Sequence, residues 1–345
     1  MMEQDMTEES MNSDDLATAS TLPPQVAQAS HATLVFQAIR AELRKVFLGQ
    51  DEVAGQVLAA LLAGGHILLE GKPGLGKTHL VLALAKTFGG AFGRIQFTPD
   101  LMPSDVTGFR LYDMKSQSFE LRKGPVFTNL LLADEINRAP AKTQASLLEV
   151  MQERQVTIDG ESISLSAPFM TLATQNPVEH EGTYPLPEAQ LDRFLMKILI
   201  DYPGLQDEAQ IVAMAAGTQQ SASLASLRVV CSVDDIVRAQ EQTAQVQAVP
   251  EVVNYCVALV RATRESRAVS LGAGTRGAIS LLRVGKAIAL MHGRNYVVPD
   301  DIKAVSLPVL RHRVQLTPEV AITGQEVDEI LRGIIESVPA PRMQA

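Results

Sequence analysis

The stretch "GKPGLGKT", Gly71 to Thr78, has the residue types and spacing to hold a polyphosphate. It fits the pattern G-x-x-x-x-G-K-[ST]. The backbone N–H groups of such a loop, with the N-terminus of the helix that follows, make a concave anion site. Gly71, Lys72, Pro73, Gly74, Leu75, Gly76, Lys77 and Thr78 would form it, and Gly74 and Gly76 permit the tight wrap. Lys77 reaches the β- and γ-phosphates, and the Thr78 hydroxyl ligates Mg²⁺. The bare pattern arises by chance in roughly one chain in a hundred of this length. Here it also follows a strand-like run, "HILLE", and opens a helix-like one.

A second stretch, "LLLADEINR" (Leu130 to Arg138), ends an apolar run in two adjacent acids. Two carboxylates at the end of a buried strand are costly unless something there needs negative charge. A phosphate-bound Mg²⁺ is that something. Asp134 supplies its second protein anchor. Glu135 orients and polarises a water for attack on the γ-phosphate.

Three more residues complete the candidate constellation. Asn176, in "ATQNP", falls at the C-terminal edge of the sheet, where ligands bind in such folds. It would hold the attacking water opposite Glu135. Arg193, in "QLDRF", read alone would be a surface ion pair. In this order of motifs it reads as a cation that stabilises the transferring phosphoryl group from a neighbouring subunit. Arg276 opens a helix in the second half of the chain and is expected to reach the γ-phosphate across the cleft.

The elements that must position these residues follow from hydrophobic period. Apolar residues recur at helical spacing from Leu34 to Val46, and a second helix is expected from a cap at Asp51 to Gly64-Gly65. "HILLE", "RIQF", "NLLLAD", "FMTLAT" and "FLMKILI" read as five core strands, and "QVTIDGESISL" as a β-hairpin turning at Asp159-Gly160. Strands alternating with helices imply a parallel sheet covered on both faces. After Tyr202-Pro203-Gly204 the strand signal disappears. Helices are expected at about 207–216, 233–247, 250–265, 275–292, 299–311 and 325–337, with a polar loop at 217–226. The fold class is therefore α/β, a P-loop NTPase sheet with helices on both faces, followed by a smaller all-α lid. The expected divisions are an acidic tail over 1–30, a nucleotide-binding domain over 31–203, the lid over 204–338 and a flexible end over 339–345.

Composition narrows the partners. The chain has 345 residues, 46% of them hydrophobic, enough for two domains of ordinary size. Net charge is −9, and the tail holds Glu3, Asp5, Glu8, Glu9, Asp14 and Asp15 with no Lys or Arg before Arg40. Such a tail reads as disordered and solubilising. Aromatics are 4% and Trp is absent, which weighs against stacking on bases. No apolar run reaches the ~18 residues a membrane span needs. The acidic start does not suit a secretory leader. Two cysteines imply no disulfide framework and suit a reducing cytoplasm. Six scattered histidines indicate no structural metal.

With these residues in view, the chain resembles the AAA+ ATPases, and among them the MoxR family of the helix-2-insert group. The resemblance runs from about residue 33 to 337. It rests on "RIQFTPDLMPSDVTG", "GPVFTNLLLADEINRAPAKTQASLLEVMQE", "LATQNPVEHEGTYPLPEAQLDRF" and "VLRHR". It implies a Walker A at Gly71–Thr78, a Walker B at Asp134-Glu135, sensor 1 at Asn176, an arginine finger at Arg193 and sensor 2 at Arg276. It also implies that Gly49 and Gln50 lie near the adenine. One departure is Gly274-Thr275-Arg276, where the family usually has Ser-Pro-Arg. The resemblance further implies two pore-facing insertions, at about 100–123 and 154–167, a homo-oligomeric ring, expected to be a hexamer, and a separate partner carrying a von Willebrand factor type A domain. The expected function is Mg²⁺-dependent ATP hydrolysis driving chaperone-like remodelling or metal-cofactor insertion in a client complex. A nucleic-acid motor is the alternative, opposed by the acidic balance and the lack of a basic tract. A small-molecule kinase would have no use for Glu135, Asn176 and Arg193 arranged for water attack.

Overall fold

The computed structural model describes residues 30–72, 74–175, 183–216 and 224–342. The acidic tail, Pro73, Asn176, most of the 217–226 loop and the last three residues lie outside the described residues.

The first half alternates helices and strands: α1 (His31–Leu43), α2 (Asp51–Leu62), β1 (Ile67–Glu70), α3 (Lys77–Thr87), β2 (Phe92–Gln96), α4 (Pro103–Thr107), β3 (Gly108–Asp113), β4 (Ser118–Lys123), β5 (Leu130–Asp134), α5 (Ala141–Glu153), β6 (Gln155–Ile158), β7 (Glu161–Ser164), β8 (Met170–Gln175), α6 (Glu188–Leu191) and β9 (Met196–Leu199). Five strands form one parallel sheet in the order β2-β5-β8-β1-β9. The run "LLLA" explains why both faces are covered. Leu130 and Leu132 enter the core on one side, and Leu131 and Ala133 enter a second core on the other. Continuous apolar runs of this kind mark strands buried on both faces. Helix α5 seals the second face with Leu147 and Leu148, both fully buried. Each contributes about 1.5–3 kcal/mol by leaving water.

The second half comprises α7 (Leu205–Ala215), α8 (Val233–Gln245), α9 (Pro250–Glu265), β10 (Val269–Leu271), α10 (Thr275–Met291), α11 (Pro299–Leu310), β11 (Gln315–Leu316), α12 (Pro318–Ile322) and α13 (Val327–Ser337). Its first helix starts at Leu205, directly after Pro203-Gly204. Its apolar faces join the same core as α1, α2 and α3. Helix α1 is the bridge. The Thr33 hydroxyl donates to the Leu290 carbonyl at 2.7 Å, and the Ala32 N–H donates to Gln242 Oε1 at 2.9 Å.

Three local expectations are corrected, and one insertion gains a structure. Gln50, not Asp51, stands at the N-cap of α2; Asp51 is the first helical residue and pairs with Arg44 at 2.8 Å. Helix α1 stops at Leu43, and Gly49, at φ 70°, turns the chain into α2. The second half is not purely helical, because β10 and β11 pair antiparallel. The insertion at 100–123 contains a hairpin, β3 with β4, that has no buried face to impose a clean alternation. The other hairpin turns as its sequence predicts: Asp159 and Gly160 both take positive φ, as a tight two-residue turn requires.

Candidate nucleotide site

The loop Gly71–Thr78 leaves β1 at the C-terminal edge of the sheet and enters α3. Gly74 and Gly76 sit at φ 83° and 75°, a region where a side chain strains the backbone. Gly71 is required for a different reason: a Cβ there would lie 2.4 Å from the Ile200 carbonyl oxygen. Lys77 donates its ammonium to the Gly71 carbonyl, parked on its own loop. Burial lowers its affinity for the proton, and Asp134, Glu135 and Glu70 oppose that shift.

Strand β8 lies between β1 and β5, so its end touches both acids. The Thr174 hydroxyl donates to Asp134 Oδ1 at 2.6 Å and accepts from the Glu135 N–H at 2.9 Å. Asp134 also pairs with Arg94 at 2.8 Å. Glu135 sits at φ 56°, in the left-handed region. Its carboxylate accepts from Gln96 Nε2 at 2.7 Å and from Arg138 Nε at 3.1 Å. Arg94 and Gln96 are two residues apart on the edge strand β2, so both point to one face, beside Asp134. Thr174, Arg94 and Gln96 were not legible as site residues in the sequence. The only signal for Thr174 is a hydroxyl two positions before Asn176, at a strand end.

Two cavities meet at the loop. One, of about 500 Å³, is lined by Gly74–His79, Asp134, Glu135, Thr174 and Gln175. The other, of about 430 Å³, is more apolar, with Val46, Phe47, Gln50, Tyr202, Ile211 and Val212 in its wall. They share Gly74, Leu75, Gly76 and His79, which makes one groove with a polar end and a more apolar end. Gln50 lines the apolar end and donates to the Asp201 carbonyl at 2.6 Å. Gly49 stands next to it, against Asp207, where a Cβ would clash at 2.7 Å. Lys72 lies 4.9 Å over the Tyr202 ring at the mouth.

The donor set fits Mg²⁺. Thr78 and Asp134 offer hard oxygens in the polar end. No cluster of three His, Cys, Asp or Glu that could hold a metal unaided occurs among the described residues. Mg²⁺ suits such a sparse set, because it keeps waters and takes its remaining oxygens from phosphates.

Arg193 and Arg276 are elsewhere. They line a third cleft, of about 290 Å³, which shares no residue with the phosphate cavity. Arg276 lies 3.4 Å from Asp192, and Arg193 is exposed and makes no ion pair among the described residues. The structure thus brings Lys77, Thr78, Asp134 and Glu135 together and gathers the two arginines at a separate place. Arg276 does not reach across the cleft of its own subunit here, because α10 presents it beside Asp192.

A parallel sheet with a phosphate loop after β1, two acids after β5 and a helical lid defines a P-loop NTPase of the AAA+ class. An AAA family model, "ATPase family associated with various cellular activities", matches residues 66–196, and an AAA lid domain matches residues 261–334. The chain is 42% identical over 313 residues to chaperone MoxR1 of Mycobacterium tuberculosis, spanning 88% of this chain and 82% of that one. It is 46% identical to the uncharacterized protein YeaC of Bacillus subtilis, over 87% of this chain and 92% of the other. A solved structure of a candidate ATPase from Cytophaga hutchinsonii superposes with a TM-score of 0.83 at 42% identity, covering 90% of this chain and 96% of that one. The chain belongs to the MoxR family of AAA+ ATPases.

Proposed function

We propose that the protein hydrolyses ATP and uses the cycle to remodel a partner protein complex. One observation carries the chemistry: Asp134 and Glu135 enter the same cavity as Lys77 and Thr78, held apart in role by the Thr174 hydroxyl between them. Lys77 releases the Gly71 carbonyl and takes the phosphates. Thr78 and Asp134 hold the Mg²⁺, which supplies charge neutralisation of the phosphate oxygens when bound. Glu135 orients a water and takes its proton as the water attacks the γ-phosphorus. ADP leaves with the electron pair of the broken P–O bond. Asn176 is assigned to holding the same water.

The expanding charge on the γ-phosphoryl group needs a further cation. Arg193 and Arg276 are assigned to that task in trans, on the γ-phosphate of the neighbouring subunit. Their gathering in a cleft separate from their own phosphate loop supports this. A head-to-tail contact of this kind closes into a ring, which we take to be a hexamer. The two insertions are assigned to the client. Hairpin β3–β4 exposes Phe109, Leu111, Tyr112, Met114 and Phe119, with Met114 81% exposed. An ion pair between Arg110 and Glu161 ties it to β6–β7. The latter hairpin also buries Val156 and Ile158 and so is partly structural. A separate von Willebrand factor A protein and a cytoplasmic setting complete the reading. Among the described residues no helix is long and apolar enough to cross a membrane.

The deciding experiment is Glu135→Gln. It should bind ATP with undiminished affinity and lose hydrolysis, since Asp134 remains to anchor the metal. Hydrolysis at the wild-type rate would refute the assignment.

A further inference from the structure

The segment that carries Arg193 is gripped by the lid. Arg313, in the "VLRHR" stretch just past α11, is 2% exposed at its side chain and fans its guanidinium over both sides of that residue. Its Nε donates to Asp192 Oδ1 at 2.8 Å. One terminal nitrogen donates to the Phe194 carbonyl at 2.6 Å and to the Asp192 carbonyl at 3.3 Å, and the other to the Leu195 carbonyl at 3.2 Å. His312, the residue before it, bonds the Phe194 carbonyl from the same side at 3.1 Å. Arg276, from α10 of the lid, takes the remaining Asp192 oxygen at 3.4 Å.

We propose that Arg313 is a positioning residue for Arg193, so that the orientation of a subunit's lid sets where its arginine is presented to the neighbour. This rests on the trans assignment of Arg193 made above. The physical argument is one of constraint. Arg193 is an exposed, long side chain, and its reach depends on where its backbone is held. The backbone on both its flanks bonds one buried guanidinium, which belongs to the lid and not to the sheet. A planar fork of five donors fixes several acceptors at once, which an ammonium cannot do. Phe194 has no exposure and Leu195 donates its N–H to the His66 carbonyl at 2.7 Å, so the segment is anchored on the sheet side and gripped on the lid side. A lid that rotates as its own groove fills or empties would carry Asp192 and Arg276 with it.

The test uses mixed assemblies of the full chain. Acceptor subunits carry Arg193→Ala. Donor subunits carry Lys77→Ala, which removes their own hydrolysis, with or without Arg313→Lys. All ATP turnover then comes from acceptor sites served by a donor's Arg193. Donors with Arg313→Lys should support a kcat roughly ten- to hundredfold lower, the cost of displacing a reacting group by about 1 Å. KM for ATP and sedimentation of the assembly should be unchanged; the melting midpoint falls, because a lysine leaves some of these acceptors unpaired, so turnover is compared per assembled site well below that midpoint. A merely structural arginine would lower the melting midpoint and leave kcat per assembled site alone. Undiminished turnover with a folded Arg313→Lys donor overturns the proposal. If that donor does not fold, Asp192→Ala takes its place, which removes the carboxylate that orients the Arg313 fork and receives Arg276 from the lid, and undiminished turnover there overturns the proposal too. If acceptors with Arg193→Ala hydrolyse ATP fully without any donor, the trans assignment itself has failed, which is a different result from intact complementation that ignores Arg313.

Discussion

Thr174→Val is the most revealing single substitution for the chemistry. Thr174 is 2% exposed, so its hydroxyl has little water to fall back on. Its removal deletes a charge-assisted bond to Asp134 and leaves the Glu135 N–H without its partner. A bond to a charged group contributes about 1.5–3 kcal/mol, and a neutral one about 1. Asp134 keeps Arg94, which softens the loss. The variant should therefore be destabilised by about 2–4 kcal/mol, read as a lower urea midpoint. Catalysis should suffer beyond stability. Glu135 holds a left-handed φ of 56°, a conformation that costs about 1–3 kcal/mol and persists only where its surroundings hold it. Without the hydroxyl the backbone relaxes and the carboxylate shifts. A displacement near 1 Å lowers kcat by up to about a hundredfold. Nucleotide affinity, measured with a fluorescent ADP analogue, should change much less, because Lys77 and the loop are untouched. Thr174→Ser should recover most of the activity. A valine variant with wild-type kcat and midpoint would refute the claim that this hydroxyl holds the two acids in place.

Lys77→Ala should abolish nucleotide binding in the same fluorescence assay, since the loop would lose the ammonium that meets the phosphates; retained binding would count against the phosphate cavity. Replacing Phe109, Tyr112 and Phe119 by Ser should leave basal ATPase and the melting midpoint intact, because all three are exposed, while client remodelling is lost; unimpaired remodelling would clear the hairpin of that role. His66 is buried as the neutral imidazole, bonded to the Met151 carbonyl and the Thr171 N–H, and burial pushes it down to about 4 from an ordinary 6.5. The unfolded chain thus takes up this proton first as pH falls, so the stability is present above pH 6.5 and is lost between 6.5 and 4, by about 3 kcal/mol at pH 4. His66→Gln, which keeps one donor and one acceptor, should flatten that part of the stability-against-pH curve; an unchanged slope would show that His66 is not its source.

The sequence by itself determined the patterns that lie within one strand or one loop. The phosphate loop, the paired acids and the continuous apolar runs are local patterns, and each carries its own physical reason: positive φ at Gly74 and Gly76, charge at a strand end, burial on both faces of "LLLA". The Asp159-Gly160 turn was readable for the same reason. What the sequence left open depends on residues far apart in the chain. The strand order puts β8 between β1 and β5, and only that makes Thr174 a partner of both acids. Hairpin β3–β4 escaped because exposed strands have no core face to write an alternating pattern. Arg276 carries the same charge wherever its helix points, and the docking of α10 decided that it stands with Arg193 and not at its own phosphate loop. "VLRHR" was visible as a motif, yet the work of its second arginine became definable only when α11 delivered Arg313 to the carbonyls around Arg193, more than a hundred residues earlier in the chain.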